Sequence, residues 1–260
     1  MSKIAAAFKK QRKCFIPFIT AGDPCLELTK QLIVAMANAG ADIIELGIPF
    51  SDPVAEGEVI QAANVPALAA GTTTDKIFAM LAEVRKETDV PLVFLTYVNP
   101  IFTYGTEKFM ATCQSSGVDG VIVPDVPFEE KAELAGLCAE YGVDLIPLVA
   151  PTSDERIKMI AKDAQGYVYI VSSLGVTGVR QNITTDIAAI TAKIREVTDV
   201  PAAVGFGIAT PQQAAQMAAV SDGAITGSAV VQIVGEHGQN CIQPVTDYVK
   251  QMAKAVHGVE

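Results

Sequence analysis

Short apolar runs of strand length alternate with longer segments of helical period from one end of the chain to the other. The runs 15–19, 42–47, 92–97, 120–123, 143–149, 167–171, 202–204 and 224–226 are apolar on both faces, as strands buried in a parallel sheet are. Helical spacing covers 26–38, 59–70, 75–87, 106–116, 128–141, 153–163, 185–197 and 211–219. A short helix over 2–10 leads the chain, Ser228 opens another, and 243–256 closes it. The stretch after residue 97 reads as a long loop. Punctuation agrees with this parse. Asp23 and Pro24 start the first long helix, and Gly40, Gly117 and Gly142 fall just past helices, where a left-handed residue is favoured. Thr88-Asp89-Val90-Pro91 recurs as Thr198-Asp199-Val200-Pro201 ahead of the third and seventh strands, as a half-barrel repeat would place it. Eight strand–helix units predict the α/β class and a (β/α)8 TIM barrel with a short leading N-terminal helix, one domain over 1–260. The competing architecture is an open doubly wound sheet, and no GxGxxG follows the first strand to support it.

Composition narrows the partners. Half of the 260 residues are hydrophobic and 18% are charged, so a large core is readily filled. A net charge of -10 and a pI near 4.7 argue against nucleic acid as a partner. They leave room for a phosphorylated small molecule, which backbone N–H groups can bind. Five scattered cysteines without a CxxC pair predict free thiols in a reducing cytoplasm. The basic start is followed by a short apolar run broken by Pro17, with no cleavage site of the secretory kind. No apolar run approaches a membrane span, so a cytoplasmic protein without a membrane partner is expected.

Candidate chemistry centres on Glu45, which stands inside the apolar run Ile43-Ile44-Glu45-Leu46-Gly47-Ile48. Burial there would raise its pKa and make a proton donor or acceptor poised near neutral pH. The alternative is a structural carboxylate paired with a Lys or Arg from elsewhere. Two further acids, Asp52 and Glu56, follow in a loop punctuated by Gly and Pro.

In a barrel the chemistry sits at the C-terminal ends of the strands. Those ends carry Phe18 and Thr20, Glu45, Tyr97 and Asn99, Pro124 and Asp125, and Tyr169. Three glycine turns follow the last three strands: Gly175-Val176-Thr177-Gly178, Gly205-Phe206-Gly207 and Gly227-Ser228. Together they fit a phosphate site, with Ser228 at a helix N-terminus. His237 and His257 lie far along the chain, which leaves no histidine base and no His-rich metal site. Proton transfer falls to carboxylates: Glu45 first, then Glu56 and Asp125, the last also readable as a helix cap ahead of Pro127.

Six segments taken together resemble the tryptophan synthase alpha chain family. They are Thr20-Ala21-Gly22-Asp23-Pro24, Glu45 through Pro53, Asp125-Val126-Pro127, Gly175 through Gly178, Gly205-Phe206-Gly207-Ile208 and Gly227-Ser228-Ala229. The resemblance implies a barrel lyase that cleaves indole-3-glycerol phosphate to indole and glyceraldehyde 3-phosphate without a cofactor. It implies that Glu45 protonates the indole ring and handles the glycerol hydroxyl proton. Glu56 would face the indole N–H, and Tyr169 would support the glycerol end. It also implies that Thr177 closes over the site, that Gly178, Phe206, Gly207, Gly227 and Ser228 hold phosphate, and that Phe18, Leu95, Tyr97 and Ile122 wall the indole. The implied partner is a beta chain carrying pyridoxal phosphate, in an α2β2 heterotetramer, met by the loop of Pro49, Asp52 and Pro53.

The chain departs from the family pattern in Ala55-Glu56-Gly57-Glu58, where relatives usually read Ala-Asp-Gly-Pro. The expectation is that the loop relaxes outward and the longer Glu56 side chain reaches back, against the alternative of a solvated loop acid. Three other functions compete: another phosphosugar barrel enzyme, a weakly catalytic activating subunit, and an indole-releasing lyase acting without a beta chain.

Overall fold

The computed structural model describes residues 2–10, 13–172, 186–205 and 207–259. Within them nine parallel strands are hydrogen-bonded in the order β5-β4-β3-β2-β1-β9-β8-β7-β6. They are β1 Cys14–Thr20, β2 Ile44–Gly47, β3 Leu92–Leu95, β4 Gly120–Ile122, β5 Asp144–Leu145, β6 Leu148–Val149, β7 Val168–Val171, β8 Ala202–Gly205 and β9 Gly223–Thr226. The two strands at the ends of that order, β5 and β6, are successive pieces of one predicted strand. The sheet therefore closes on itself as an eight-stranded barrel, in place of the open sheet. The break falls at Ile146-Pro147, since proline has no N–H to give to a ladder. Ile146 N–H bonds Val121 O on one side, and Pro147 O accepts from Tyr169 N–H on the other.

Around the barrel run α1 Lys3–Phe8, α2 Leu26–Asn38, α3 Glu58–Ala69, α4 Thr74–Val84, α5 Val98–Tyr104, α6 Thr106–Ser116, α7 Ala132–Glu140, α8 Asp154–Lys162, α9 Ile187–Arg195, α10 Pro211–Ala219, α11 Ser228–His237 and α12 Ile242–His257. Gly40, Gly117 and Gly142 take the positive φ expected of them, 109°, 74° and 66°. The predicted helix 128–141 begins instead as a 3-10 turn, Phe128–Glu130, before α7. A larger difference is α5, which occupies the predicted long loop. Pro100 is tolerated in its first turn, and the Asp125 carboxylate accepts the orphan N–H of Val98 at 3.1 and 3.2 Å. Asp125 is thus a cap, but for a helix that follows a different strand from its own.

The half-barrel repeat has a structural counterpart. Thr88 and Thr198 each accept the N–H two residues on, from Val90 and Val200, both at 3.2 Å. On the face where strands begin, Asp42, Asp119 and Asp222 accept the N–H of Phe15, Leu92 and Ala202 at 2.9, 3.0 and 2.8 Å. Each of those carboxylates also meets a basic side chain, His257, Arg85 and Arg195 respectively. Strands alternate in and out: Ile44 and Leu46 pack under the helices, whereas Ile43 joins Ile16, Val93, Ile122, Tyr167, Tyr169 and Ile225 inside the barrel. Ile4 and Ala7 of α1 belong to that inner cluster, and Phe8 packs on Tyr167 with ring centroids 5.8 Å apart. The leading helix closes the floor.

Candidate active site

Glu45 lies on β2 between Phe18 of β1 and Val93 of β3. Strand alternation sends it inward with Ile43, and it is 1% exposed. No Lys or Arg among the described residues pairs with it. Its partner is the Tyr167 hydroxyl, which donates to Oε1 at 2.5 Å. Burial inside the barrel pushes its pKa up to about 8, against the smaller opposing effect of the Tyr167 hydrogen bond. At neutral pH Glu45 therefore holds a proton. Among the described residues the structural ion pair, the alternative at the level of sequence, is not formed.

Tyr169, two residues on from Tyr167 and so on the same inward face, is buried, and both tyrosines titrate well above their ordinary range because burial and Glu45 oppose a second charge. Room for Tyr169 comes from Gly205 on β8: a Cβ there would stand 2.2 Å from the Tyr169 hydroxyl.

Glu56 is 5% exposed, so it is not a solvated loop acid. Its Oε2 accepts from Asn64 Nδ2 at 2.8 Å. Burial raises its pKa, while hydrogen bonds from Asn64 and Tyr97 pull it back. Glu45, Glu56 and Tyr169 line one cavity at the C-terminal ends of the strands, with Phe18, Leu95, Tyr97 and Ile122 as walls. Gly207, Gly227 and Ser228 line it as well. Gly207 has φ +79°, a backbone that favours glycine, and Gly227 precedes α11, so Ser228 opens that helix as expected. Thr177, Gly178 and Phe206 lie outside the described residues.

Pro124, read as a strand end, lines the cavity too, whereas Ala55, Ile60, Leu148, Ile208 and Ile225 escaped the sequence reading. Ile225 was findable, since it shares the inward parity of its strand. Leu148 was hidden by the break in the fifth strand, and Ile60 sits on a helix whose position over the barrel mouth has no local signature. Of the loop residues assigned to a partner, Asp52 is exposed, Pro53 half-buried and Pro49 buried. Pro49 thus faces its own chain, and the outward apolar residue of that loop is Val54, 73% exposed.

A proton-holding acid that shares a cavity with a second buried carboxylate, at the loop end of a closed (β/α)8 barrel, is an arrangement that fits the class of barrel enzymes. Known proteins sharpen that class. The family profile of the tryptophan synthase alpha chain matches residues 4–258. The alpha chain of Lacticaseibacillus casei is 48% identical over 256 residues, covering 98% of this chain and 96% of that one. The alpha subunit of Legionella pneumophila str. Paris superposes with a TM-score of 0.90 at 35% identity, covering 100% of each chain. A chain from the tryptophan synthase α2β2 complex of Pyrococcus furiosus gives 0.86 at 33% identity, covering 94% of this chain and 99% of that one. The chain belongs to the tryptophan synthase alpha chain family, lyases acting on indole-3-glycerol phosphate.

Proposed function

We propose that Glu45, Glu56 and Tyr169 carry the cleavage of indole-3-glycerol phosphate to indole and glyceraldehyde 3-phosphate in this chain. The observation that carries the reading is a proton-holding Glu45 in the same cavity as Gly207, Gly227 and Ser228. Glu45 gives its proton to the ring carbon that bears the glycerol chain, which turns the ring into an electron sink. The Glu56 carboxylate accepts the ring N–H as positive charge develops there. Glu45, now ionised, takes the proton from the hydroxyl on the adjoining chain carbon. That C–O becomes a carbonyl, the carbon–carbon bond breaks, and its electron pair restores the indole. No water, metal or cofactor enters the balance. Tyr169 supports the glycerol end; Phe18, Leu95, Tyr97 and Ile122 wall the ring.

Phosphate is assigned to Gly178, Phe206, Gly207, Gly227 and Ser228, with Thr177 closing over the substrate. Among these, the N-terminus of α11 supplies N–H groups and a favourable dipole. The partner is assigned as a beta chain holding pyridoxal phosphate, in an α2β2 assembly, through the loop of Asp52 and Pro53. The relative from the Pyrococcus furiosus complex supports that assignment. A single domain over 1–260 is supported by the family match across 4–258. A cytoplasmic location is in keeping with the five free thiols, and no helix among the described residues is long and apolar enough to cross a membrane.

The test is Glu45→Gln, which keeps shape and removes the proton. Turnover should fall by about a hundredfold or more while substrate affinity stays near the parent's. Parental kcat in a folded variant would remove Glu45 from the reaction.

A further inference from the structure

Glutamate at position 56 raises a physical question, because its extra methylene would misplace the carboxylate of an unmoved loop by about 1 Å, enough to cost a hundredfold in rate. The structure answers it with three tethers. Gln61 Nε2 donates to the Glu56 carbonyl at 2.7 Å. The Tyr97 hydroxyl accepts the Ala55 N–H at 3.1 Å and favours the charged form of the Glu56 carboxylate. Asn64 Nδ2 donates to Oε2 at 2.8 Å.

Asn64 is the informative member. It lies on the buried stripe of α3, whose other buried residues are Ile60, Ala63 and Ala67, and it is itself 4% exposed. A polar amide on an aliphatic stripe costs stability unless it is hydrogen-bonded. α3 begins directly after Gly57, so Asn64 stands about two turns along it and points back to the loop that carries Glu56. We infer that Asn64 is a positioning residue for the reaction: it fixes the Glu56 carboxylate against the substrate's ring nitrogen through a neutral hydrogen bond. This rests on the place given to Glu56 in the proposed reaction.

The neutrality matters. An ionised carboxylate has about four acceptor sites, so two donors still leave room for a substrate N–H. A Lys or Arg in place of Asn64 would cancel the charge the ring cation needs. No Lys, Arg or His lines the cavity among the described residues. The titratable groups facing Glu56 are Tyr97 at the end of β3, Glu45 on β2 and, beyond Tyr97, Asp125 after β4. Holding the acid by an amide and a phenol keeps its field unopposed.

The experiment measures kcat, KM and the pH profile of kcat/KM, alone and with saturating beta chain. Asn64→Ala should lower kcat by about tenfold to a hundredfold with KM within about twofold. The acid limb, where Glu56 must ionise, should move up by about one pH unit, because a bond favouring the charged form is gone. A merely structural role would lower the melting temperature and leave that limb in place. Should Asn64→Ala fail to fold, Tyr97→Phe removes the opposite donor with little change of shape and should move the limb the same way. An unmoved limb in the folded variants overturns the inference. Glu56→Gln separates the two levels: parental kcat there takes down the role of Glu56 and Asn64 together. A dead Glu56→Gln beside an unmoved limb in Asn64→Ala overturns the positioning role alone.

Discussion

Glu45→Gln should stabilise the protein, and by an amount that depends on pH. In the unfolded chain the glutamate titrates at its ordinary value of 4.5, whereas in the barrel it titrates at about 8. Between those values the folded state binds more protons than the unfolded one, so stability falls as pH rises. The favourable contribution is complete below 4.5 and is lost progressively up to the folded value of about 8. Each pH unit inside that window costs about 1.4 kcal/mol, so at neutral pH the protein gives up about 3 kcal/mol relative to acid conditions. Glutamine fills the same space, keeps a hydrogen bond for Tyr167 and does not titrate. The assay is urea unfolding of parent and variant at a series of pH values from about 5 to about 8, read as the difference in unfolding free energy. The advantage of the variant should grow by roughly 3 to 4 kcal/mol across that range. A difference that stays flat with pH would show that Glu45 does not hold its proton in the folded state, and the acid assigned to the first step would have to be another group.

Gly205→Ala should leave a folded barrel but displace Tyr169, since its Cβ would stand 2.2 Å from the Tyr169 hydroxyl. A loss of kcat of about tenfold, with unchanged far-UV circular dichroism, is expected from overpacking of 1–3 kcal/mol at the wall. Parental kcat would detach Tyr169 from the chemistry. Asp52→Ala should weaken stimulation by a beta chain in a titration while basal turnover stays within about twofold. Equal stimulation of variant and parent would dismiss that loop as the coupling surface.

What was legible in the chain is what strand alternation and local punctuation encode. α2 and α10 follow the predicted spans of helical spacing, and the burial of Glu45 was legible from its place among four aliphatic residues, while the choice between a proton-holding acid and an ion pair was not. Ile225 was legible by the same parity. The misses share a cause: they depend on contacts remote in sequence. α5 forms because Asp125, on a different strand end, satisfies its first N–H. The fifth strand breaks where Pro147 interrupts a ladder, yet the apolar run through it is continuous. Asn64 looked like an ordinary helix residue, because its meaning lies in Glu56, eight positions away across a glycine turn. Tyr167 was read as the first residue of a strand, and only the closed barrel reveals that its hydroxyl ends at Glu45.

The floor built by α1 has a consequence for acid strength. Ile4 and Ala7 seal the interior from below, and Phe8 braces the ring of Tyr167, whose hydroxyl in turn rests against Glu45. A barrel without that stopper would be a wetted tube, and water entering it would solvate the carboxylate and let the proton go. The leading helix works as an insulator. It keeps the medium around the carboxyl group poorly polarisable, so residues that never approach the substrate govern how tightly the proton is kept at the opposite mouth.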